Sequence, residues 1–430
     1  LDNDDLYDDS DESESIDTVW MYFDATGKAL GSGTDNGEIK RLPHGDGKSD
    51  YFIFDNDGYM LSGWKRWSKS EGQSMDGDLY YLGSQDEGWA RTGFQWLEID
   101  PDLPAFDGIN TDDDNYKDEC WFYFKTNGKA VKDDTTKYNN KTYSFDEYGR
   151  MLDLWVYPSN VASDSELTNS GASSSAPSAA YYTEEEGGRR GSEWILAYPN
   201  TDYDNYGDDL YYFYLDSKGK PFRAVKGDKL SDVGSADRLD DDQPKSTDAD
   251  ACDIVGAKAI KGETYLFNQN GIMLTGLYEL KDVYKGTGTM EDGIYYFTED
   301  DYPSSVAGQL VTNKRITIDV HGDDETYYFQ KDGRAYTMRV ISGYIYGADG
   351  KLITKYGDGN TYQKVTLGEL AGVTSGEVVF KAKDNDDEIK GLASDQILIN
   401  ENGKVKKSGK AKDVNEEDVH VSNYIVQTKE

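Results

Sequence analysis

The sequence is poor in several things at once, and each shortage removes a class of function. No apolar stretch among its 430 residues approaches the roughly 20 needed for a membrane-crossing helix. Long apolar stripes at helical spacing are missing as well, which argues against a helical core. Basic residues are scarce, 45 against 83 acidic ones, for a formal charge of −38. A surface that acidic repels nucleic acid and anionic membranes. Histidine occurs only as the scattered His44, His321 and His420, and there is no G-x-S-x-G, P-loop or H-E-x-x-H. With 83 carboxylates an acidic pair for glycoside hydrolysis is not excluded by counting, but nothing marks one pair out. The expectation is a chain without catalysis of its own. Two cysteines, Cys120 and Cys252, stand far apart without metal-type spacing. They allow one disulfide or two separate thiols, and the spacing favours the thiols.

The chain does hold aromatic residues, 34 tyrosines and 14 phenylalanines among them, and many glycines. Tyrosine suits half-buried positions where the ring packs and the hydroxyl reaches water. The stretch YFIFDNDGYMLSGW, from Tyr51, recurs as KTYSFDEYGRMLDLW ending at Trp155 and as ETYLFNQNGIMLTGL ending at Leu277. A second unit reads WMYFDATGKAL from Trp20, WFYFKTNGKAV from Trp121, LYYFYLDSKGKP from Leu210 and TYYFQKDGRAY from Thr326. A third carries the pairs Tyr80-Tyr81, Tyr181-Tyr182 and Tyr295-Tyr296. The types follow one another in a fixed order, and NTDDDNY from Asn110 is echoed by NTDYDNY from Asn200. Order and linker together mark a super-repeat of about a hundred residues.

Each unit has the grammar of a β-hairpin. Alternating residues such as Tyr51 and Ile53 against Phe52 and Phe54 take opposite faces of a strand. The glycine after two or three polar residues supplies the positive φ of a tight connection. A lone hairpin does not bury a core in water. The expected fold is therefore all-β, a solenoid of stacked hairpins with long loop insertions. Residues 1–19 read as an acidic tail and 20–360 as the solenoid, with super-repeats at about 20–120, 121–210, 211–325 and 326–360. Residues 361–430 read as degenerate repeats or a small β-rich region. The stretches Asn160–Ala180 and Ser231–Asp250 are expected to be loops leaving the stack.

The units WxYFxxxGKA and YxFDxxGxMLxGW resemble the cell-wall-binding repeats of Gram-positive surface proteins, the choline-binding and glucan-binding repeats among them. The resemblance covers about Trp20 to Leu352. It implies a secreted or surface-attached protein whose aromatics form ligand sites between hairpins, walled in the choline-binding branch by the tryptophan of Gly-Trp. A quaternary ammonium gains cation–π attraction there, about 0.5–2 kcal/mol per contact. Gly-Trp occurs here only at Gly63-Trp64 and Gly88-Trp89; Gly93-Phe94, Leu154-Trp155 and Gly276-Leu277 stand elsewhere, and all eight tryptophans precede Ile195. Candidate ligand residues are Trp64, Trp67, Tyr80, Tyr81, Trp89, Trp96, Trp121 and Trp155, although any one of them taken singly reads first as packing between hairpins. The acidic runs Asp112–Asp114, Asp202–Asp209 and Asp240–Asp242 have oxygen ligands suited to calcium but lack the calcium-loop spacing, and they read as solvated loops. No other cofactor is expected. Two functions follow: attachment to a cell-wall polymer or glycan, choline or sugar, and a structural or adhesive role with self-association through exposed hairpin edges.

Overall fold

The computed structural model describes residues 19–112, 116–156, 179–183, 187–198, 210–223, 234–240, 252–268, 270–283, 289–299, 307–354, 361–382 and 387–427. The architecture is all-β, a succession of hairpins, with one five-residue α-helix among the described residues. The chain divides into two units. The first comprises the described residues up to 156 with those of 178–192 and 216–220; the second comprises the rest.

The hairpins are set by a corner repeated along the chain. At Phe54-Asp55-Asn56-Asp57-Gly58-Tyr59-Met60, the Asp55 N–H donates to the Tyr59 carbonyl (3.0 Å) and Gly58 N–H to the Asp55 carbonyl (3.2 Å). Phe54 then bridges Met60. The Asp55 side chain completes the turn: Oδ1 accepts from the N–H of Asp57 (3.1 Å) and of Tyr59 (2.7 Å). Asp24, Asp146, Asp216, Asn268, Asn400 and Asp413 do the same for the N–H groups two and four residues on. The first polar residue of the corner thus matters as much as its glycine. Burial selects which acceptor is used. Asn268 and Asn400 are 0% and 3% exposed, where an ionised carboxylate would be costly. The buried Asp413 is the exception, and Lys364 Nζ meets it at 2.8 Å. That ammonium holds the Asp413 carboxyl below the usual carboxylate range.

Successive hairpins are joined by one recurring backbone bond. The residue that closes a corner donates to a carbonyl of the preceding hairpin. In the first unit these are Met60 to Trp20, Ala90 to Tyr51, Ala130 to Leu79, Met151 to Trp121 and Arg189 to Thr142. In the second they are Leu310 to Thr264, Ala335 to Ile294, Leu352 to Thr326 and Val405 to Gly343, all nine between 2.7 and 2.8 Å. This is the nearest-neighbour stacking of a solenoid. It brings corners against the hairpin before: a Cβ on Gly128, whose φ is +79°, would lie 2.5 Å from the Ala90 Cβ.

The aromatic clusters that the stack buries in the first unit include one around Trp64, Phe106, Phe122 and Phe124, one around Ile53, Trp67, Tyr80 and Leu82, and one around Val131, Tyr143 and Phe145 against which Phe94 and Met151 pack. The second unit departs from plain hairpins in two places. A six-stranded sheet forms around Cys252–Ile260, with Gly234–Arg238 between it and Gly276–Lys281. Part of the stretch expected to be a loop, Ser231–Asp250, is therefore a strand; residues 241–251 lie outside the described ones. Its composition conceals this. Small Gly234 and Ala236 fit against Val283 and within the apolar cluster, while Arg238 pairs with Asp240 at 2.8 Å. Asp240 in turn accepts the Leu277 N–H at 2.7 Å. The second departure follows Ile353. Gln363–Thr366 pairs with Gln396–Ile399, and Glu377–Ala382 lies between Arg339–Ile341 and Asp387–Leu392. The helix Leu367–Ala371, capped by Thr366 Oγ1 on the Glu369 N–H, packs with them around Phe380. This excursion lies between two hairpins that the Val405-to-Gly343 bond still joins.

Candidate functional site

The strands Gly93–Glu98 and Glu119–Phe124 pair antiparallel, with Phe94 opposite Tyr123 and Trp96 opposite Trp121. Side-chain alternation puts all four rings on one face, while Leu97, Cys120 and Phe122 take the other. The latter three join the core around Trp64. The next hairpin, Asp134–Tyr138 with Lys141–Phe145, turns through Asn139 and Asn140 at φ +47° and +64°. Two consecutive positive φ values make a tight turn whose twist suits the strands, and asparagine tolerates them better than other non-glycine residues. The turn sets Tyr138 opposite Lys141, and alternation puts Tyr143 on their face.

These elements enclose a cleft of about 450 Å³ lined by Phe94, Trp121, Tyr138, Asn139, Lys141, Tyr143 and Met151. Phe94 sits at its centre, edge-on to Tyr143 at 4.7 Å, Tyr138 at 5.4 Å and Trp121 at 6.3 Å. Trp96, half exposed, extends the aromatic face beyond the cleft, 5.5 Å from Trp121 and with Nε1 donating to Glu119 Oε2 at 3.3 Å. Among the described residues the lining combines flat apolar rings with the Asn139 amide and the Lys141 ammonium at the turn. Flat rings beside an amide have the chemistry to stack on the apolar face of a sugar ring while the amide bonds its hydroxyls.

The sequence candidates fall into distinct environments. Trp121 lines the cleft and Trp96 adjoins it. Trp64 is buried, its Nε1 on the Glu98 carbonyl at 3.0 Å, against Tyr81, Phe106 and Phe122. Trp67 is 3% exposed with Nε1 on the Asn36 carbonyl, and Tyr80 is 1% exposed, burial driving its phenol upward. Trp89 is covered by its own chain: His44 stacks on it at 4.4 Å and 8°, and the Arg91 guanidinium lies 5.1 Å from its centroid. Trp155 packs edge-on to Tyr181, 5.0 Å away, in a separate strand pair. The sequence reading missed Tyr138, Tyr143 and Met151 as cleft residues. The signal for the two tyrosines was YNNKTY, a tight turn that carries aromatics on both arms.

Cys120 is a buried free thiol, pushed up to about 12 by burial. The Cys252 side chain lies outside the described residues. Among the described residues no group of three or more His, Cys, Asp or Glu is arranged to hold a metal ion. Most of the acidic runs weighed for calcium fall outside them.

No protein-family model matches the chain, and no curated protein matches it. Solved structures similar to it include the modular autolysin LytC from Streptococcus pneumoniae, at 16% identity and a TM-score of 0.35 over 81% of this chain and 54% of that one. CbpJ from the same organism matches at 16% identity and 0.29 over 78% of this chain and 100% of that one. The choline-binding domain of CbpL matches at 16% and 0.32, over 69% and 100%. The chain spans about half the length of LytC. At these identities the likeness is one of fold, and it transfers neither ligand nor activity.

Proposed function

We propose that this chain is a non-catalytic, extracellular binding module that attaches to a cell-wall polymer or other glycan through the aromatic cleft between the Phe94/Trp121 strand pair and the Tyr138/Tyr143 hairpin. The cleft itself carries the reading: four aromatic rings from successive hairpins converge there with Asn139 and Lys141. Within that reading a sugar ring is favoured over a choline headgroup. The flat rings of Phe94, Trp121 and Tyr138 suit the apolar face of a sugar, and the Asn139 amide offers a donor and an acceptor for its hydroxyls.

The test is retention of the chain on insoluble glucan, purified cell wall and choline resin, compared with the Trp121→Ala variant. Stacking on one aromatic ring is worth about 1–3 kcal/mol per ring in comparable aromatic platforms, so the variant should lose about 5- to 150-fold in affinity for glucan or cell wall. The Met151 bond uses the Trp121 carbonyl, so the hairpin join survives the substitution. Retention on none of the three supports, or equal retention of an equally stable variant, would sink the proposal.

A structural or adhesive role is supported by a different observation. In the second unit, Tyr344 is approached by the Arg315 guanidinium at 4.3 Å and the Lys404 ammonium at 5.7 Å, from the hairpins before and after it. There the chain's own cations occupy the ring, and the aromatic works as a staple between repeats. A strict monomer across a concentration series in light scattering would count against self-assembly.

A further inference from the structure

A second groove, of about 840 Å³, lies in the first unit beside the hairpin that bounds the aromatic cleft. Thr135 and Ser144, on the face of that hairpin opposite Tyr138 and Tyr143, contribute to its lining. Arg150, Arg189, Lys218 and Lys220 converge there from three corners, in a chain whose formal charge is −38. The corners hold those cations in place. Arg189 N–H bonds the Thr142 carbonyl (2.8 Å), and Tyr181 N–H bonds the Gly219 carbonyl (2.9 Å), so both later segments are hydrogen-bonded into the stack. Lys218 and Lys220 are fixed through their backbone N–H groups on Asp216 Oδ1, which leaves their side chains to the groove.

Carboxylates of Asp133, Asp134 and Glu147 border the same groove, supplied by the other hairpin and its corner. Asp146 differs from them, since it accepts two backbone N–H groups and pairs with Arg150 at 2.6 Å. Among the described residues, Asp133, Asp134, Glu147, Lys218 and Lys220 form no ion pair, although both signs face one groove. Charges of opposite sign that line a common space without closing on each other can be bridged by a ligand that carries both signs.

We propose that this groove binds a dipolar group: an ammonium held by the Asp133, Asp134 and Glu147 carboxylates, joined to a carboxylate or phosphate held by Arg189, Lys218 and Lys220. A singly charged ligand would satisfy one set and be repelled by the other. Arginine adds a planar fork suited to either oxyanion. The inference does not depend on occupancy of the aromatic cleft, which the Trp121→Ala variant tests separately.

Saturation-transfer difference NMR on the whole chain reads such weak binding. The probes are alanyl-alanine and phosphoethanolamine, with acetate and ethylamine as singly charged controls. The variant is Lys218→Gln combined with Lys220→Gln, which keeps both backbone N–H groups and so preserves the corner. Saturation of at least one dipolar probe, several-fold above both controls, is expected. It should fall at least threefold in the double variant, fall on adding salt and persist in Trp121→Ala. Response to alanyl-alanine alone identifies the oxyanion as a carboxylate, and response to phosphoethanolamine alone identifies it as a phosphate. Dipolar probes no better than acetate or ethylamine, or an unchanged signal in the double variant, would overturn the proposal.

Discussion

Replacing Asp55 by alanine and by asparagine separates the two properties of a corner carboxylate, its acceptor oxygen and its charge. Alanine removes the acceptor for two N–H groups, those of Asp57 and Tyr59. At about 1 kcal/mol net per hydrogen bond, the loss is about 2 kcal/mol. For a cooperative unit of this size that is a fall in Tm of about 4–8 °C. Asparagine keeps Oδ1, as Asn268 and Asn400 show in the same geometry. Burial pushes the Asp55 carboxyl up, against the pull of those hydrogen bonds. A carboxyl raised in the folded state contributes stability that is full below the ordinary carboxylate pKa and is lost as pH rises through the folded value. Asp55→Asn should therefore match or exceed the parent at pH 7, with any advantage vanishing near pH 3. Urea and thermal unfolding followed by tryptophan fluorescence give both comparisons. If asparagine costs as much as alanine, or alanine costs nothing, the side-chain acceptor does not set the corner.

Four further outcomes follow from single contacts. Cys120, buried and pushed up to about 12, should stay unreactive towards iodoacetamide at pH 8 in the folded chain and react once urea unfolds it. Gly128→Ala puts a Cβ 2.5 Å from Ala90 at a φ of +79°, and should lower the Tm of the first unit by several degrees. The Arg91 guanidinium holds Glu87 at about 2, so Glu87→Gln should lower Tm above pH 5. Because that carboxyl is depressed on folding, the difference from the parent should close between pH 4.5 and 2. Arg315→Gln with Lys404→Gln removes both cations from Tyr344 and should cost about 1–2 kcal/mol in denaturant titration, more than either change alone.

The hairpins were legible in the sequence because everything that makes one is local. An aromatic strand, an Asp or Asn, a glycine three residues later and a returning apolar residue lie within about ten positions. Sheets built from distant segments left no such mark. Gly234–Arg238 is polar and reads as a loop, yet it becomes an interior strand because Gly234 fits beside Val283, Ala236 joins the apolar cluster and Arg238 finds Asp240. The aromatic site was legible only in part, for a related reason. Density of tryptophan pointed to Trp64 and Trp67, three residues apart and so on opposite faces of their strand. Both are buried because both faces of that strand are covered. Which ring reaches solvent depends on what the neighbouring hairpin lays over it, and sequence order does not disclose that.

The same dependence on neighbours explains why related aromatics end in different states. In three of the corners the basic residue that follows the glycine reaches back to the preceding hairpin. Lys129 meets Asp78 there, Lys351 meets Glu325 at 2.9 Å, and Lys404 meets the face of Tyr344. Where an acid stands opposite, the cation forms an ion pair; where a tyrosine does, it covers the ring. At Trp121 the following corner presents Met151 and the turn presents Asn139, so the aromatic face stays open as a cleft wall. Whether an aromatic face stays open in this repeat is thus set one hairpin away from the ring itself, by the residue that the next corner lays against it.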